Sequence, residues 1–565
     1  MGRTWKKRWA ILLLVVAVIA VLVAGVTPIL ISSRYENAIK ERIPIWVAKA
    51  TDSLYTVAID DISISTFTKN ITATGITLRL DSNRLRQLRE TSQLPPNIFA
   101  MSVDRIELNK IHWADLLADK EFSSENVSII HPVLKIYQTN PREQTNDRKK
   151  KIPKLEGVDA GHIKISDPEV FLQRFDDSIS FFWKGGQIEL NEWEFETGDK
   201  ASRFFYAKSG NVKLDSAVIN KPGSFYAFKA GVVSFSSTKN SLYVRNFSVR
   251  PALSKEEYYR RIGYQDELFT IICPQIEFLG FDWESLSRGV VHANKIIATS
   301  PYANVYMSRI PPPAPRKRRK FPTQQIREMK TSLLIDTFEI RNGDLSYTER
   351  NDNSKQEGTV PFKKFNAVFT NITNIPGRLN RNPYCNASFN TNLFGTTLYS
   401  TFRFNLADSL GAFEAEGRQM GIEGTNVNPL TRPVALMEVK SLNLHKVDFH
   451  LLSDGRVAKG NFLFLYDDLK LKVLKPNEDG SLGSMGFVSF IVNKALIYPA
   501  NPMPGEDPRR ISSTTKRDPY KSFFNFLWSS IRTGTLLTAG RNPQVVDVIM
   551  NRSKAKDDKR LAEGK

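Results

Sequence analysis

The sequence predicts a mainly β protein: an N-terminal transmembrane helix, then an elongated, curled antiparallel β-sheet with internal repeats, then a C-terminal amphipathic helix. Three observations carry this reading. A long uncharged apolar segment lies near the N-terminus, strand-length alternation fills the middle, and two stretches about 170 positions apart repeat one pattern.

Residues Ala10 to Ile31, AILLLVVAVIAVLVAGVTPILI, carry no charge. At 1.5 Å per residue this run reaches about 33 Å, enough for a hydrocarbon core of about 30 Å. A cleaved signal peptide usually has an apolar region of only about 7 to 15 residues with a small-x-small site behind it, and neither feature fits. Arg3, Lys6, Lys7 and Arg8 precede the span, whereas Arg34, Lys40 and Arg42 beyond it are mixed with Glu36 and Glu41. The positive-inside rule therefore puts the N-terminus in the cytoplasm and about 530 residues across the membrane.

The organisation that follows is a basic N-terminus (1–9), the span (10–31), and an amphipathic connector helix (32–54) carrying Ile39, Ile43, Val47 and Leu54 with a kink at Pro44. Then come a first β repeat region (55–140), a basic linker (141–154), a second β repeat region (155–310), a Pro/basic linker (311–325) and a C-terminal β region (326–500). A linker (501–517), an amphipathic helix (518–540) and a charged tail (541–565) complete the chain.

The repeat reads IELNKIHWADLLADKEF…VSIIHPVLKIY from Ile106 and IEFLGFDWESLSRG…IIATSPYANVY from Ile276. Ile106/Ile276, Trp113/Trp283 and Leu116/Leu286 match at one offset; after a one-residue deletion so do Pro132/Pro301 and Tyr137/Tyr306. Each copy leads into a basic, proline-containing connector, and beyond it into HIKISDPEVFL from His162 or TFEIRNGDLSY from Thr337, where an Asp-Pro or Asn-Gly turn is expected to break the alternation. Repeats of strands and turns point to an elongated β array; two similar pieces of an ordinary sandwich are the plainer alternative.

Alternation also marks Ile62 to Asp81 as two strands around a turn, and recurs in Ser241 to Pro251, Phe365 to Thr373, Ser400 to Asp408 and Gly486 to Pro499. Short helices are expected at Asp115 to Phe122, near Ser285, from Ser254 to Tyr264 and from Asp448 to Ser453. Roughly 25 to 30 strands in one ladder would extend about 120 to 145 Å at most. Such a sheet hides its edges by closing, stacking or curling, and periodicity does not decide whether its inward face is a dry core or an open groove.

At the C-terminus, Asp518 is the expected cap and Pro519 the first helical residue of a helix whose stripe is Tyr520, Phe524, Leu527, Trp528 and Ile531. This helix either plugs the end of the array or meets a membrane or partner.

The formal charge of +20 is concentrated in connectors and tails. RKRRK, Arg316 to Lys320, reads as a solvated basic loop or a contact for anionic headgroups, and nucleic acid is not an expected partner. Cys273 and Cys385 show no metal or redox spacing and read as small buried or half-buried side chains. No nucleophile elbow, phosphate loop, His-Glu-x-x-His or Cys-x-x-Cys motif is present. The pairs Asp60-Asp61, Asp176-Asp177 and Asp467-Asp468 suit strand-end turns, and the five-residue gap between His445 and His450 suits neither one helix face nor one strand face. The expectation is a protein that is not an enzyme and uses no cofactor or metal.

In order, the anchor, the opening strands from Ser53, the duplicated block, the Gly-x5-Tyr-x-x-Leu-Lys arrangement of Gly460 to Lys475 and the closing RDPYKSFFNFLWSSIRTG resemble the AsmA-like family of envelope proteins of double-membrane bacteria. The resemblance implies a single-pass inner-membrane protein with its bulk in the periplasm, related to bridge-like lipid-transfer proteins and serving lipid transport or outer-membrane biogenesis. Phospholipid or another acyl lipid, and other envelope proteins, would be its partners. The groove it implies would be lined by alternate strand positions such as Ile76, Leu78, Leu80, Leu463, Leu465 and Leu469, the last three read as sharing one face with Leu471 and Val473. An anchored β-rich scaffold for a protein partner is the alternative.

Overall fold

The computed structural model describes residues 35–65, 67–91, 93–95, 97–112, 121–139, 157–174, 179–196, 206–220, 223–314, 318–542 and 544. The expected span, the 141–154 linker, most of the Asp115 to Phe122 helix, Asp176-Asp177 and nearly all of the tail lie outside these residues. None of the described helices is long and apolar enough to cross a membrane.

The described chain is mainly β, with 24 strands in one mostly antiparallel sheet. They are β1 Tyr55–Ala58, β2 Asp61–Ser65, β3 Asn70–Leu80, β4 Asn97–Ile111, β5 Glu121–Gln138, β6 Gly157–Ser166, β7 Glu169–Arg174, β8 Ile179–Glu196, β9 Ala207–Asn220, β10 Tyr226–Ala230, β11 Val233–Ser236 and β12 Ser241–Pro251. The series continues with β13 Glu267–Leu279, β14 Val290–Thr299, β15 Tyr302–Ser308, β16 Ser332–Arg350, β17 Glu357–Thr373, β18 Tyr384–Leu393, β19 Thr396–Asn405, β20 Phe413–Glu423, β21 Met437–Ser453, β22 Val457–Pro476, β23 Leu482–Ser484 and β24 Ile511–Lys516. The helices that matter below are α1 Tyr35–Ala50, α2 Ser82–Glu90, α3 Lys255–Ile262, α4 Trp283–Ser287, α5 Pro322–Arg327, α6 Pro376–Leu379, α7 Gly486–Ile491 and α8 Phe523–Ala539. The chain divides into two compact units, Met1–Phe247 with Phe278–Val290 and Ser248–Glu277 with Val291–Lys565.

In the N-terminal unit each long strand changes its side-chain parity at the same level. β3 turns Ile71 and Ala73 inward, then Ile76 and Leu78; β4 turns Leu108 and Ile106 inward, then Val103 and Met101. The switch occurs at Gly75 opposite Asp104, yet the pairs on either side, Thr74↔Arg105 and Ile76↔Val103, keep one register. It continues at His131 (φ 49°), Asp167 (φ 51°) and Gly185 and Gly186 (φ 72° and 112°). A bulge on one strand alone would slip the register and turn half the apolar set outward. Bulging every strand in step avoids this. A second seam runs through Lys110, Glu125, Gly161, Glu192 and Lys208, with ion pairs Lys110–Glu125 at 2.5 Å and Lys208–Glu192 at 2.8 Å.

The same chain path recurs in the C-terminal unit. β5 runs parallel to β6 and β7 after the first connector, and β15 runs parallel to β16 after the second. The matched prolines play one part: His131 before Pro132 and Ser300 before Pro301 both have positive φ. Asp167 and Asn342, at the expected turns, are also left-handed. The strand line runs on through both, so these are bulges rather than chain reversals.

The free edges are covered in part. The β1–β2 edge lies under α1, whose Ile43 and Val47 are buried in the core. At the other end the upper part of β22 is closed by side chains: Ser489 Oγ accepts from the Val473 amide at 2.8 Å, and Asn493 accepts from the Leu471 amide at 2.8 Å and donates to its carbonyl at 2.6 Å. Edge strands without such cover invite pairing with another chain. These contacts correct the expectation of a strand over Gly486 to Pro499. That segment forms α7 and a wider π turn, because Ser489 and Asn493, one helical turn apart, serve the neighbouring backbone. Asp448 to Ser453, expected as a helix, is the end of β21, paired with both β20 and β22. The C-terminal helix starts at Phe523 with Ser522 as its cap, while Asp518 accepts from the Tyr520 amide in the preceding turn.

Gly186 tests the seam, because a Cβ there would lie 2.0 Å from the Lys213 carbonyl oxygen at a φ of 112°. Gly186→Ala is expected to destabilise the N-terminal unit by about 3 kcal/mol in denaturant unfolding. Gly223→Ala, with open space around it, is the control and should lose at most about 1–2 kcal/mol, the ordinary cost of a left-handed non-glycine residue.

Candidate functional site: the inward apolar faces

In the N-terminal unit the inward face is dry at one end. Ile76 and Leu78 are 0% and 3% exposed, and Leu80 packs against the same cluster. Closure is local, because α1 and the half-buried Leu85 and Leu88 of α2 cover this end. Farther along, Val212 and Leu214 of β9, Phe235 and Val233 of β11, and Leu242 and Val244 of β12 stand in directly opposed pairs on one face. All six are only half-buried. Ile219, between Phe181 and Phe228, is 49% exposed.

The C-terminal unit repeats this gradient. Its dry part joins Phe413, Ala415, Leu451, Phe462, Phe464 and Tyr466 to Phe523 and Phe526 of α8. Helix and sheet approach closely because Gly534 faces the Phe462 ring, where a Cβ would lie 2.5 Å from ring carbons. Phenylalanines extend the face across neighbouring strands, with Phe365–Phe389 at 5.2 Å and Phe389–Phe402 at 5.9 Å between ring centres. On β13, β15 and β16 the same face carries Phe269 opposite Val305, and Ile271 and Leu345 both opposite Ala303. Phe269 and Ile271 are each 37% exposed.

Leu469 lies in the dry part of this face. Leu463 and Leu465 do not: they alternate with Phe462, Phe464 and Tyr466 and stand opposite Asp448 and Lys446 on the other face. The expectation of one shared face fails at Asp468, whose φ of 52° changes the parity between Tyr466 and Leu469.

One end of the inward face is charged. Arg309 pairs with Glu349 at 2.9 Å, and the Tyr347 hydroxyl donates to the same carboxylate at 2.9 Å. Burial pushes the Tyr347 phenol far above its usual range. Arg319 pairs with Asp266 at 2.5 Å, and Arg517 lies 3.6 Å over the Phe321 ring, its guanidinium made less basic by burial. The basic run is therefore anchored in part: Arg319 holds Asp266, and Lys320 pairs with Glu328.

On α8, Phe524 and Trp528 are exposed, at 59% and 50%, whereas Leu527 and Ile531 pack against the core and Tyr520 is half-buried before the helix. The expected stripe is thus divided between two faces, and the helix both plugs the sheet and presents two aromatic rings.

On the outward face, His450 Nε2 lies 2.8 Å from Glu414 and 4.0 Å from Glu416. These three are the group among the described residues whose atoms are close enough for a metal ion. Cross-strand pairing accounts for them, since His450 stands opposite Glu416. Asp467 accepts from His445 at 2.6 Å, which with Asn443 holds its carboxyl below the usual range. It sits at the β22 bulge, and Asp60 and Asp61 sit at the β1–β2 junction.

Both cysteines are free and buried. Burial raises the Cys385 thiol to about 11 and shifts Cys273 in the same direction. The reactive species is the thiolate. Iodoacetamide at pH 8 should therefore leave both unmodified in the native chain and alkylate both in guanidinium, as read by intact-mass spectrometry; rapid native alkylation would contradict this packing.

No protein-family model matches the chain, and no curated protein matches it.

Proposed function

We propose that the protein is a membrane-anchored, AsmA-like envelope protein that guides lipid along the inward apolar faces, in lipid transport or outer-membrane biogenesis. The observation that carries this reading is the gradient of burial along one continuous apolar face, from Ile76 at 0% to Ile219 at 49% exposure. An acyl chain laid over the half-buried part gains about 0.8 kcal/mol per CH₂ removed from water, while its headgroup stays solvated. No bond is made or broken, so guidance needs no nucleophile or metal. A scaffold holding a protein partner is the second reading, favoured by Phe487 and Phe490 of α7, which are 77% and 61% exposed.

The test is lipid extraction and native mass spectrometry on the full chain purified in mild detergent. Phospholipid should copurify with it, and Phe269→Asp with Ile271→Asp should lower the lipid per chain at least about fivefold with unchanged circular dichroism. Leu78→Asp should instead unfold the N-terminal unit, because a carboxylate in the dry part costs more than about 4 kcal/mol. A folded wild-type chain free of lipid would move the weight to the scaffold.

A further inference from the structure

Arg532 of α8 makes no hydrogen bond or ion pair with any described residue, and its Nε is sealed from solvent. Its neighbours are matched: Arg309 by Glu349, Arg319 by Asp266 and Glu267. It lies within electrostatic reach of Glu349 and Arg309, and burial weakens its basicity. Arg532 is half-buried, with only its Nε among the sealed, unbonded atoms, and a guanidinium stays charged near neutral pH, so an anion that reaches its outer nitrogens would supply the counter-charge the half-buried group lacks. Phosphate is matched to it, since a guanidinium presents parallel donors to two of its oxygens.

The strands beneath are amphipathic along their length. On β13, Glu267 is followed on the same face by Phe269 and Ile271; on β16, Glu349 and Tyr347 are followed by Leu345. The charged end meets Arg532 and the apolar end runs away from it. Trp528, one helical turn before Arg532, adds a half-exposed ring, a residue suited to the boundary between apolar and wet surroundings. This is the layout of a ligand with an anionic head and an apolar tail.

We propose that Arg532 is the headgroup-selecting residue of this face: it receives the phosphate of an anionic lipid whose acyl chains lie over Phe269 and Ile271. The assignment rests on the lipid-guidance reading and adds a preference for net-negative over zwitterionic heads.

The probes are phosphatidylglycerol and phosphatidylcholine, each fluorescently labelled on the acyl chain, titrated against the full chain in detergent. Phosphatidylglycerol should bind at least about tenfold tighter, the scale of one charge-assisted pair. Arg532→Gln should weaken phosphatidylglycerol most and phosphatidylcholine, whose choline already offsets its own phosphate, distinctly less, so that the two probes bind about equally, and Arg532→Lys should keep most of the preference. Equal binding of both probes to the wild-type chain overturns headgroup selection while leaving lipid guidance standing. Binding of neither overturns both. Displacement of phosphatidylglycerol by millimolar inorganic phosphate would assign Arg532 to a soluble phosphate instead. The wild-type preference needs no variant, so the proposal stays open to refutation even if Arg532→Gln fails to fold.

Discussion

The rest of this structure depends on one constraint: strands of up to 20 residues must keep their apolar side chains on one face although their parity changes partway along. Period-two alternation lets a strand serve one face only while it is regular. The chain meets the constraint by placing a left-handed or glycine residue at the same level on neighbouring strands. Gly75, His131, Asp167 and Gly186 do this in the N-terminal unit; Ser300, Asn342 and Lys364 do it in the C-terminal unit. In the N-terminal unit both partners shift together, so the pairs on either side retain their register, whereas at Lys364 β17 shifts against β18 and the register slips by one.

The bulged residues are accordingly small, polar or charged. Asp104 and His131, which face one another at the first seam, lie 3.0 Å apart, and Lys110–Glu125 and Lys208–Glu192 pair at the second. Exposed pairs like these contribute little stability, typically under about 1 kcal/mol each. Their use is positional: they occupy the places where an apolar residue would be turned to water.

Several features were legible in the sequence. The hairpin of β2 and β3, the short helices α3 and α4, and the duplicated block with its matched prolines all follow from spacing and turn chemistry. The parity changes were not legible at Asp468, because Leu463, Leu465, Leu469, Leu471 and Val473 look like one uninterrupted row unless the φ of Asp468 is known. Nor was α7: GFVSFIVNKAL alternates well enough for a strand, and only the neighbouring β22 edge, with its open amides at Leu471 and Val473, makes Ser489 and Asn493 more useful one helical turn apart. Tertiary demand of this kind leaves no local trace.

Dry core and open face, which alternation left as competing readings, are successive parts of one surface. What decides between them is cover, not strand composition. Where α1 lies over β1 and β2, Ile76 and Leu78 are 0% and 3% exposed; on β9, β11 and β12, where Phe281 beside α4 reaches Phe235 alone among the described ring contacts, residues just as apolar stay half-buried. The C-terminal unit makes the point with one residue. Gly534 lets α8 settle onto Phe462 and seal the β20 to β22 part, and the same helix leaves Phe524 and Trp528 in solvent on its far side. A strand-by-strand hydrophobic pattern sets where an apolar face can exist, and the few helices set how much of it remains available to anything else.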